Sequence, residues 1–109
     1  MKTIVTIAIS FFVASAISAR AADAKQNWNK YCMQCHGNSG NADTKMGKIL
    51  SAKDLTDRKV QASFTDAEAA KAIKEGIKEG GKAKMTAFGS KLADDEVKAL
   101  VAYVRTLKK

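Results

Sequence analysis

The sequence predicts an all-α protein of one small domain, and three observations support that fold class. Apolar residues near the carboxyl terminus recur at the spacing of one helix face. A Thr-Asp-Ala-Glu sequence near the middle of the chain has the pattern of a helix capping box. No segment alternates between apolar and polar residues in the way that a half-exposed strand does.

The first 21 residues have the pattern of a secretory signal peptide. A basic start at Lys2 precedes a mostly apolar stretch, and Ala19-Arg20-Ala21 is a small-residue cleavage sequence. The alternative is a membrane anchor, but a spanning helix needs about 20 apolar residues, and this stretch is shorter. We therefore expect residues 1–21 to be cleaved and residues 22–109 to form one exported, periplasmic domain without membrane insertion.

Two helical segments are expected in the first half of this domain. Residues 23–34 have apolar positions at helical spacing, with Asp23 as the expected N-cap and Gly37 as the expected end. Residues 45–52 are expected to form a short helical turn.

Thr65 and Glu68 form the capping box of a central helix, which is expected to run to about residue 78. Gly80-Gly81 is expected to end it, and residues 82–89 are expected to form an irregular loop. The last helix is expected from about residue 94 to about residue 108. Its apolar stripe consists of Val97, Leu100, Val101, Val104 and Leu107.

The chain is strongly basic, with a formal charge of +8. A small basic exported protein is expected to meet acidic partner surfaces or an anionic membrane face. A nucleic-acid partner is not expected, because the chain carries an export signal and no binding motif for nucleic acid. Lysine is also a common exposed residue, so a simple solvated surface remains an alternative interpretation.

The sequence Cys32-Met33-Gln34-Cys35-His36 contains both cysteines and the only histidine of the chain. C-x-x-C-H is the attachment signature of c-type haem. Two thiols at this spacing add to the two vinyl groups of one porphyrin, and the adjacent imidazole binds the iron. We therefore predict one covalent haem c, held by Cys32 and Cys35 with His36 as an axial ligand.

Two other uses of the cysteines compete with haem attachment. An exported C-x-x-C pair could be a thioredoxin-like disulfide site, but that site needs a βαβ context that the sequence does not predict. A structural zinc ion usually takes four nitrogen or sulphur ligands. This chain offers two cysteines and one histidine.

A methionine is expected as the second iron ligand, since His/Met is a common pair and no other histidine exists. Met33 lies inside the attachment sequence and cannot reach the opposite face of the ring. Met85 lies in the predicted loop between two helices, where a side chain can turn towards a flat cofactor. Met46 is the alternative, although it follows His36 closely, and any methionine can simply fill a core.

The chain resembles the class I cytochromes c of the small, single-haem, exported bacterial type. The resemblance extends over residues 24–108. It rests on residues 32–37 near the mature amino terminus and on Met85-Thr86-Ala87-Phe88-Gly89 as a ligand loop. It also rests on residues 91–96 as the lead-in to the last helix and on residues 100–105 as part of that helix. The resemblance implies three main helices around one haem, with crossing terminal helices and Trp28 packed on the last helix near Tyr103.

The sequence departs from the family pattern at three positions. Lys48 follows Gly47 where a proline is common, so the sequence does not identify the group that orients His36. Thr86 replaces the proline after the ligand methionine. Ala93 stands where a hydroxyl residue usually caps the last helix, and Asp94 is expected to take that role.

These features favour a monomeric electron carrier with a closed His36/Met85 iron site, not an enzyme. Leu50 and Phe88 are the first candidates for the haem pocket, followed by Leu55, Ile73 and Leu92. The lysines expected near the haem edge, which would steer an acidic redox partner, are Lys45, Lys48, Lys82, Lys84 and Lys91. Two alternatives remain open: a peroxidase or gas sensor with an open iron site, and a cytochrome subunit of a larger oxidoreductase complex.

Overall fold

The computed structural model describes residues 14–109, which form a mainly helical domain. The apolar stretch of the predicted signal peptide lies largely outside these residues. Within the described part of the chain, no helix is both long and apolar enough to cross a membrane. The predicted cleavage point between Ala21 and Ala22 falls inside the first helix.

The attachment motif lies at the end of a long helical run with three parts. Helix α1 spans Ala14–Asn27, a π-helical segment spans Trp28–Cys32, and helix α2 spans Met33–His36. Gly37 ends the run with a φ of 81°, as the sequence predicted. The expectation of an N-cap at Asp23 is wrong for this chain, because α1 already includes that residue.

Two short helices follow the motif. Helix α3 spans Lys45–Leu50, in agreement with the predicted helical turn, and the Thr44 hydroxyl caps it by accepting from the Gly47 amide. Helix α4 spans Arg58–Ala62 and was not predicted. The Asp57 carboxylate accepts from the Lys59 amide at 2.8 Å, which is the N-cap signal that could have revealed it.

The central helix α5 spans Asp66–Glu75 and begins with the predicted capping box. The Glu68 amide donates to the Thr65 hydroxyl at 3.1 Å, and the Thr65 amide donates to the Glu68 carboxylate at 3.0 Å. The prediction that this helix continues to residue 78 is wrong. Gly76 ends it with a φ of 73°.

A β-hairpin replaces the expected helix end and part of the expected loop. Strand β1 spans Ile77–Glu79 and pairs antiparallel with strand β2, Lys82–Met85. Gly80 and Gly81 form the turn between them with φ values of 56° and 77°. The fold class is still mainly helical, but the expectation of a chain without strands was wrong at this hairpin.

The last helix α6 spans Asp94–Thr106, close to the predicted range. Its N-cap is Ala93 and not Asp94, which is a correction to the sequence prediction. The Glu96 carboxylate accepts from the Ala93 amide at 3.0 Å, and the Asp95 carboxylate accepts from the Glu96 amide at 3.0 Å. Asp94 instead forms an ion pair with Lys74.

The core lies where α6 packs against α1 and α5. Trp28, Val97 and Leu100 are its largest fully buried side chains. The other members of the cluster are Cys32, Leu55, Ile73, Leu92, Val101 and Val104. The first cysteine of the motif is therefore part of the main core, whereas Cys35 and His36 are half-buried beside it.

Candidate functional site

The two cysteines lie at the end of the π-helical segment and in α2, and both are free thiols. Burial raises the pKa of the Cys32 thiol to about 11, and the neighbouring Cys35 adds to that rise. A thiol-exchange enzyme needs a lowered pKa to form its thiolate. The neutral Cys32 thiol thus argues against the thioredoxin-like alternative.

The His36 imidazole is held by a backbone carbonyl. Its Nδ1 atom lies 3.2 Å from the Lys53 carbonyl oxygen. A carbonyl oxygen can only accept, so Nδ1 carries the proton and the Nε2 lone pair is available to a metal. Burial lowers the pKa of His36 more than the Lys53 hydrogen bond raises it, so the imidazole is neutral at neutral pH. This is the tautomer and charge state that binds iron.

Lys53 is thus the residue that sequence reasoning missed when it could not name the group that orients His36. Its contribution is a main-chain oxygen, which every residue type possesses. No side-chain pattern could have identified it, and only the path of the chain after α3 places it there.

Close packing also fixes the second half of the motif. The Thr44 hydroxyl donates to the Cys35 carbonyl at 2.7 Å and accepts from the Gly47 amide at 2.8 Å. A Cβ atom on Gly47 would overlap the Cys35 carbonyl and would lie 2.6 Å from the Ala42 carbonyl. Position 47 therefore requires glycine, and α3 rests directly against the motif.

Trp28 packs between the motif and the last helix, as the family resemblance implied. Its ring centroid lies 5.8 Å from that of His36 and 5.5 Å from that of Tyr103. Trp28 has an exposed fraction of only 1%. The attachment sequence and α6 are therefore joined through one buried aromatic side chain.

Met85 is half-buried at the end of β2 and packs against the hydrophobic core. Gly76 approaches it so closely that a Cβ atom there would lie 2.5 Å from the Met85 carbonyl. Beyond Met85, the Phe88 amide donates to the Ile73 carbonyl at 2.8 Å. These contacts tie the Met85 segment to the end of α5. Met46 is half-buried on α3, and Met33 is exposed.

Four of the five predicted pocket residues belong to the core or contact it. Leu55, Ile73 and Leu92 are buried in the cluster, and Phe88 packs against it. The Phe88 ring also lies 5.5 Å from that of Tyr31, just before the motif. Leu50 is half-buried at the end of α3 and lies outside the cluster.

The residues fit the chemistry of a covalently attached haem. Two free thiols, separated by two residues in the chain, are followed directly by a neutral imidazole with Nε2 available. The half-buried thioether of Met85 is the other soft donor near the core.

Comparison with known proteins identifies the family. A family model described as cytochrome c oxidase, cbb3-type, subunit III matches residues 19–104. Among solved structures, the chain is similar to the KustC0563 c-type cytochrome, with 38% identity and a TM-score of 0.72 over 80% of this chain and 99% of that one. A single-residue mutant of Kustc0563 gives 37% identity and a TM-score of 0.69 over 79% of this chain and 99% of that one. No match was found among curated proteins.

These matches extend over most of the chain and agree with its mainly helical architecture. The cytochrome c fold predicted from the sequence is therefore confirmed. Members of this family hold haem c covalently and transfer electrons through it. The chain belongs to the class I c-type cytochromes.

Proposed function

We propose that this protein is an exported carrier of single electrons that holds one haem c through Cys32 and Cys35. The observation that carries the proposal is the His36–Lys53 hydrogen bond, which leaves Nε2 available directly beside two free thiols. When bound, haem supplies an iron centre that alternates between two oxidation states. Each thiol would add its S–H across one vinyl group, so a thioether forms without a leaving group.

His36 and Met85 would both bind the haem iron, so that no position on it would remain for a gas or a peroxide. The proposal for Met85 is supported by its half-buried position and by the ties between its segment and α5. A thioether ligand and an apolar surrounding both favour the reduced iron and raise the potential. Phe88 would contribute to that surrounding from three residues beyond Met85, and Leu50 would do so from the end of α3.

Partner docking would use the lysines around the motif and the Met85 segment. Lys45, Lys82 and Lys91 are exposed, and Lys48 is exposed but paired with Asp43 at 3.1 Å. Lys82 and Lys84 lie on β2, and Met85 is the last residue of the same strand. Their positive charge would attract redox proteins with acidic docking surfaces to the site of electron exit.

Export to the periplasm is supported by the signal-peptide pattern of residues 1–21. Removal of that segment would leave residues 22–109 as the mature monomer. Mass spectrometry of the protein purified from a periplasmic extract tests this location directly, since the amino terminus should be Ala22. An intact Met1 would contradict it.

Attachment is tested by mass spectrometry on the denatured holoprotein. The mass should exceed that of the chain by one haem, and this haem should resist extraction with acidified organic solvent. The Cys32→Ser, Cys35→Ser double variant should release its haem under the same extraction, whereas each single variant should keep one thioether. Release of haem from the unchanged protein would contradict the proposal.

A second candidate function is that of a cytochrome subunit in an oxidoreductase complex. It is favoured by the match to a family model described as an oxidase subunit. Size-exclusion chromatography of a gently prepared periplasmic extract separates the two functions. A free carrier should elute at the size of the single chain, and a subunit should elute with its complex.

A further inference from the structure

The carbonyl groups at the end of the motif each accept a hydrogen bond from outside α2. The Thr44 hydroxyl donates to Cys35, and the Ala42 amide donates to the His36 carbonyl at 2.8 Å. The third carbonyl, that of Gly37, accepts from the Gly40 amide at 3.3 Å and also from a donor that precedes the motif. The indole Nε1 of Trp28 donates to the Gly37 carbonyl at 3.2 Å. Helix ends leave such carbonyls without partners inside the helix, so these donors decide how the end is held.

Trp28 forms two hydrogen bonds that hold the motif, one through its main chain and one through its side chain. Its carbonyl accepts from the Met33 amide, which is the wide hydrogen bond that defines the π-helical segment. Its indole donates to Gly37, one residue past His36. One residue is therefore bonded to the motif twice: its main-chain carbonyl accepts from Met33 inside the motif, and its indole donates to Gly37 directly after it.

The indole is well placed to keep this bond. Trp28 is almost fully buried, so water cannot compete for the donor. Tyr103 of α6 lies against its ring at 5.5 Å, and the His36 ring lies at 5.8 Å. A phenylalanine could preserve much of this packing, but it has no donor for the Gly37 carbonyl. The hydrogen bond and the packing can thus be separated by substitution.

We propose that Trp28 is a positioning residue for the iron ligand, its indole N–H fixing the end of the motif and its ring setting the plane of the His36 imidazole. This inference rests on the proposed function, in which His36 binds the haem iron. Lys53 holds the Nδ1 edge of the imidazole, and Trp28 restrains its orientation from the helix side.

Amide and indole hydrogen exchange on the holoprotein tests the hydrogen bond itself. The chain has a single tryptophan, so its one indole N–H resonance needs no assignment by mutation. Exchange should be at least about a hundredfold slower than in free indole, because a buried bonded group exchanges only on local opening. Exchange within about threefold of the free rate would overturn the inference, since it would show that no lasting bond to Gly37 exists.

Electron paramagnetic resonance of the oxidised holoprotein tests the positioning role. The g-values of a low-spin ferric haem depend on the orientation of the axial imidazole plane. Trp28→Phe should shift these g-values, whereas Thr65→Ala should not. Thr65→Ala is the control because it removes the hydroxyl that accepts from the Glu68 amide. Loss of this cap of α5 weakens the protein. Unchanged g-values in Trp28→Phe, or the same shift in both variants, would overturn the inference.

Failure of the proposed function gives a different result. If His36 does not bind iron, the unchanged protein lacks a low-spin ferric spectrum before any substitution is made. If the unchanged protein is low-spin and Trp28→Phe matches it, the proposed function stands and the positioning role is wrong. If Trp28→Phe fails to accumulate as holoprotein, the exchange rate of the indole proton in the unchanged protein decides the inference.

Discussion

The Nδ1 atom of His36 lies 3.2 Å from the carbonyl oxygen of Lys53, seventeen residues further along the chain. This bond sets the tautomer of the imidazole and frees Nε2 for a metal. It also supplies the orienting group that the sequence could not identify, because Lys48 stands where the family resemblance leads us to expect a proline. A main-chain oxygen, and not the Lys53 side chain, therefore sets the tautomer that the proposed binding of iron by His36 requires.

We expect Lys53→Ala to leave the haem spectrum unchanged, because the alanine keeps the carbonyl that accepts from His36. The substitution removes only the ammonium group that lies 6.0 Å from the Phe64 ring. Such an exposed contact contributes about 0.5–1 kcal/mol. Absorption spectra and denaturant unfolding check both expectations. A changed axial-ligand spectrum would show that the lysine side chain, and not its carbonyl, controls His36.

The free energy of unfolding should fall as the pH decreases below 6.5. Burial holds the pKa of His36 below 6.5 in the folded chain, so the unfolded chain takes up a proton first. Stability linked to this group is fully present above 6.5 and is lost as the pH falls through the lowered pKa. Binding of iron by Nε2 would also oppose protonation of His36 in the folded chain, so it would likewise make the free energy of unfolding fall as the pH decreases.

Denaturant titrations between pH 7.5 and 5 isolate this effect from the carboxylates. Asp54 has a pKa lowered from 3.8, chiefly by its hydrogen bond from the Thr56 side chain, so it titrates in a lower window. His36 is the only histidine of the chain. Stability that is constant or increases towards pH 5 would contradict the assignment.

Gly47→Ala should destabilise the protein by about 1–3 kcal/mol, as an overpacked position does. The new Cβ would overlap the Cys35 carbonyl and approach the Ala42 carbonyl to 2.6 Å. Gly80→Asn is the matched control, because a Cβ at that hairpin turn meets no atom within 4 Å and asparagine tolerates positive φ. Thermal unfolding of both holoproteins makes the comparison. Equal stability of the two variants would show that α3 does not rest against the motif.

Electron transfer to an acidic redox protein should slow as the ionic strength rises, because exposed charges are screened over about 10 Å at 0.1 M salt. The Lys82→Gln, Lys84→Gln double variant should reduce both the rate at low salt and its dependence on salt. The control is Lys108→Gln with Lys109→Gln, which removes the same charge beyond the end of α6. Stopped-flow rates that do not change with salt would contradict steering by these lysines.

Much of the fold could be predicted from short patterns, because local contacts create the features concerned. The Thr65 cap, the end of the motif helix at Gly37 and the stripe of α6 depend on residues within one or two turns. The hairpin could not be predicted in this way. Ile73 and Ile77 have helical spacing, but Gly76 ends α5 where the Met85 carbonyl approaches it.

Some residues of the candidate site could likewise be predicted from short sequence patterns, and others could not. The residue types and spacing of Cys32, Cys35 and His36 identify haem chemistry directly from the sequence. The Lys53 carbonyl and the indole bond of Trp28 to Gly37 arise from the path of the chain, and main-chain acceptors have no sequence signature. The Ala93 cap was missed because alanine has no side-chain acceptor. The Asp95 carboxylate accepts from the Glu96 amide, as an N-cap hydroxyl usually does, and the Glu96 carboxylate accepts from the Ala93 amide.

The proposed function requires that Met85 bind the iron on the side opposite to His36. The far-red charge-transfer band of the oxidised holoprotein, which arises from methionine sulphur on ferric iron, measures this directly. We predict that the unchanged protein shows the band, that Met46→Ala retains it and that Met85→Ala loses it. Retention of the band in Met85→Ala, or its loss only in Met46→Ala, would show that Met85 is not the second iron ligand.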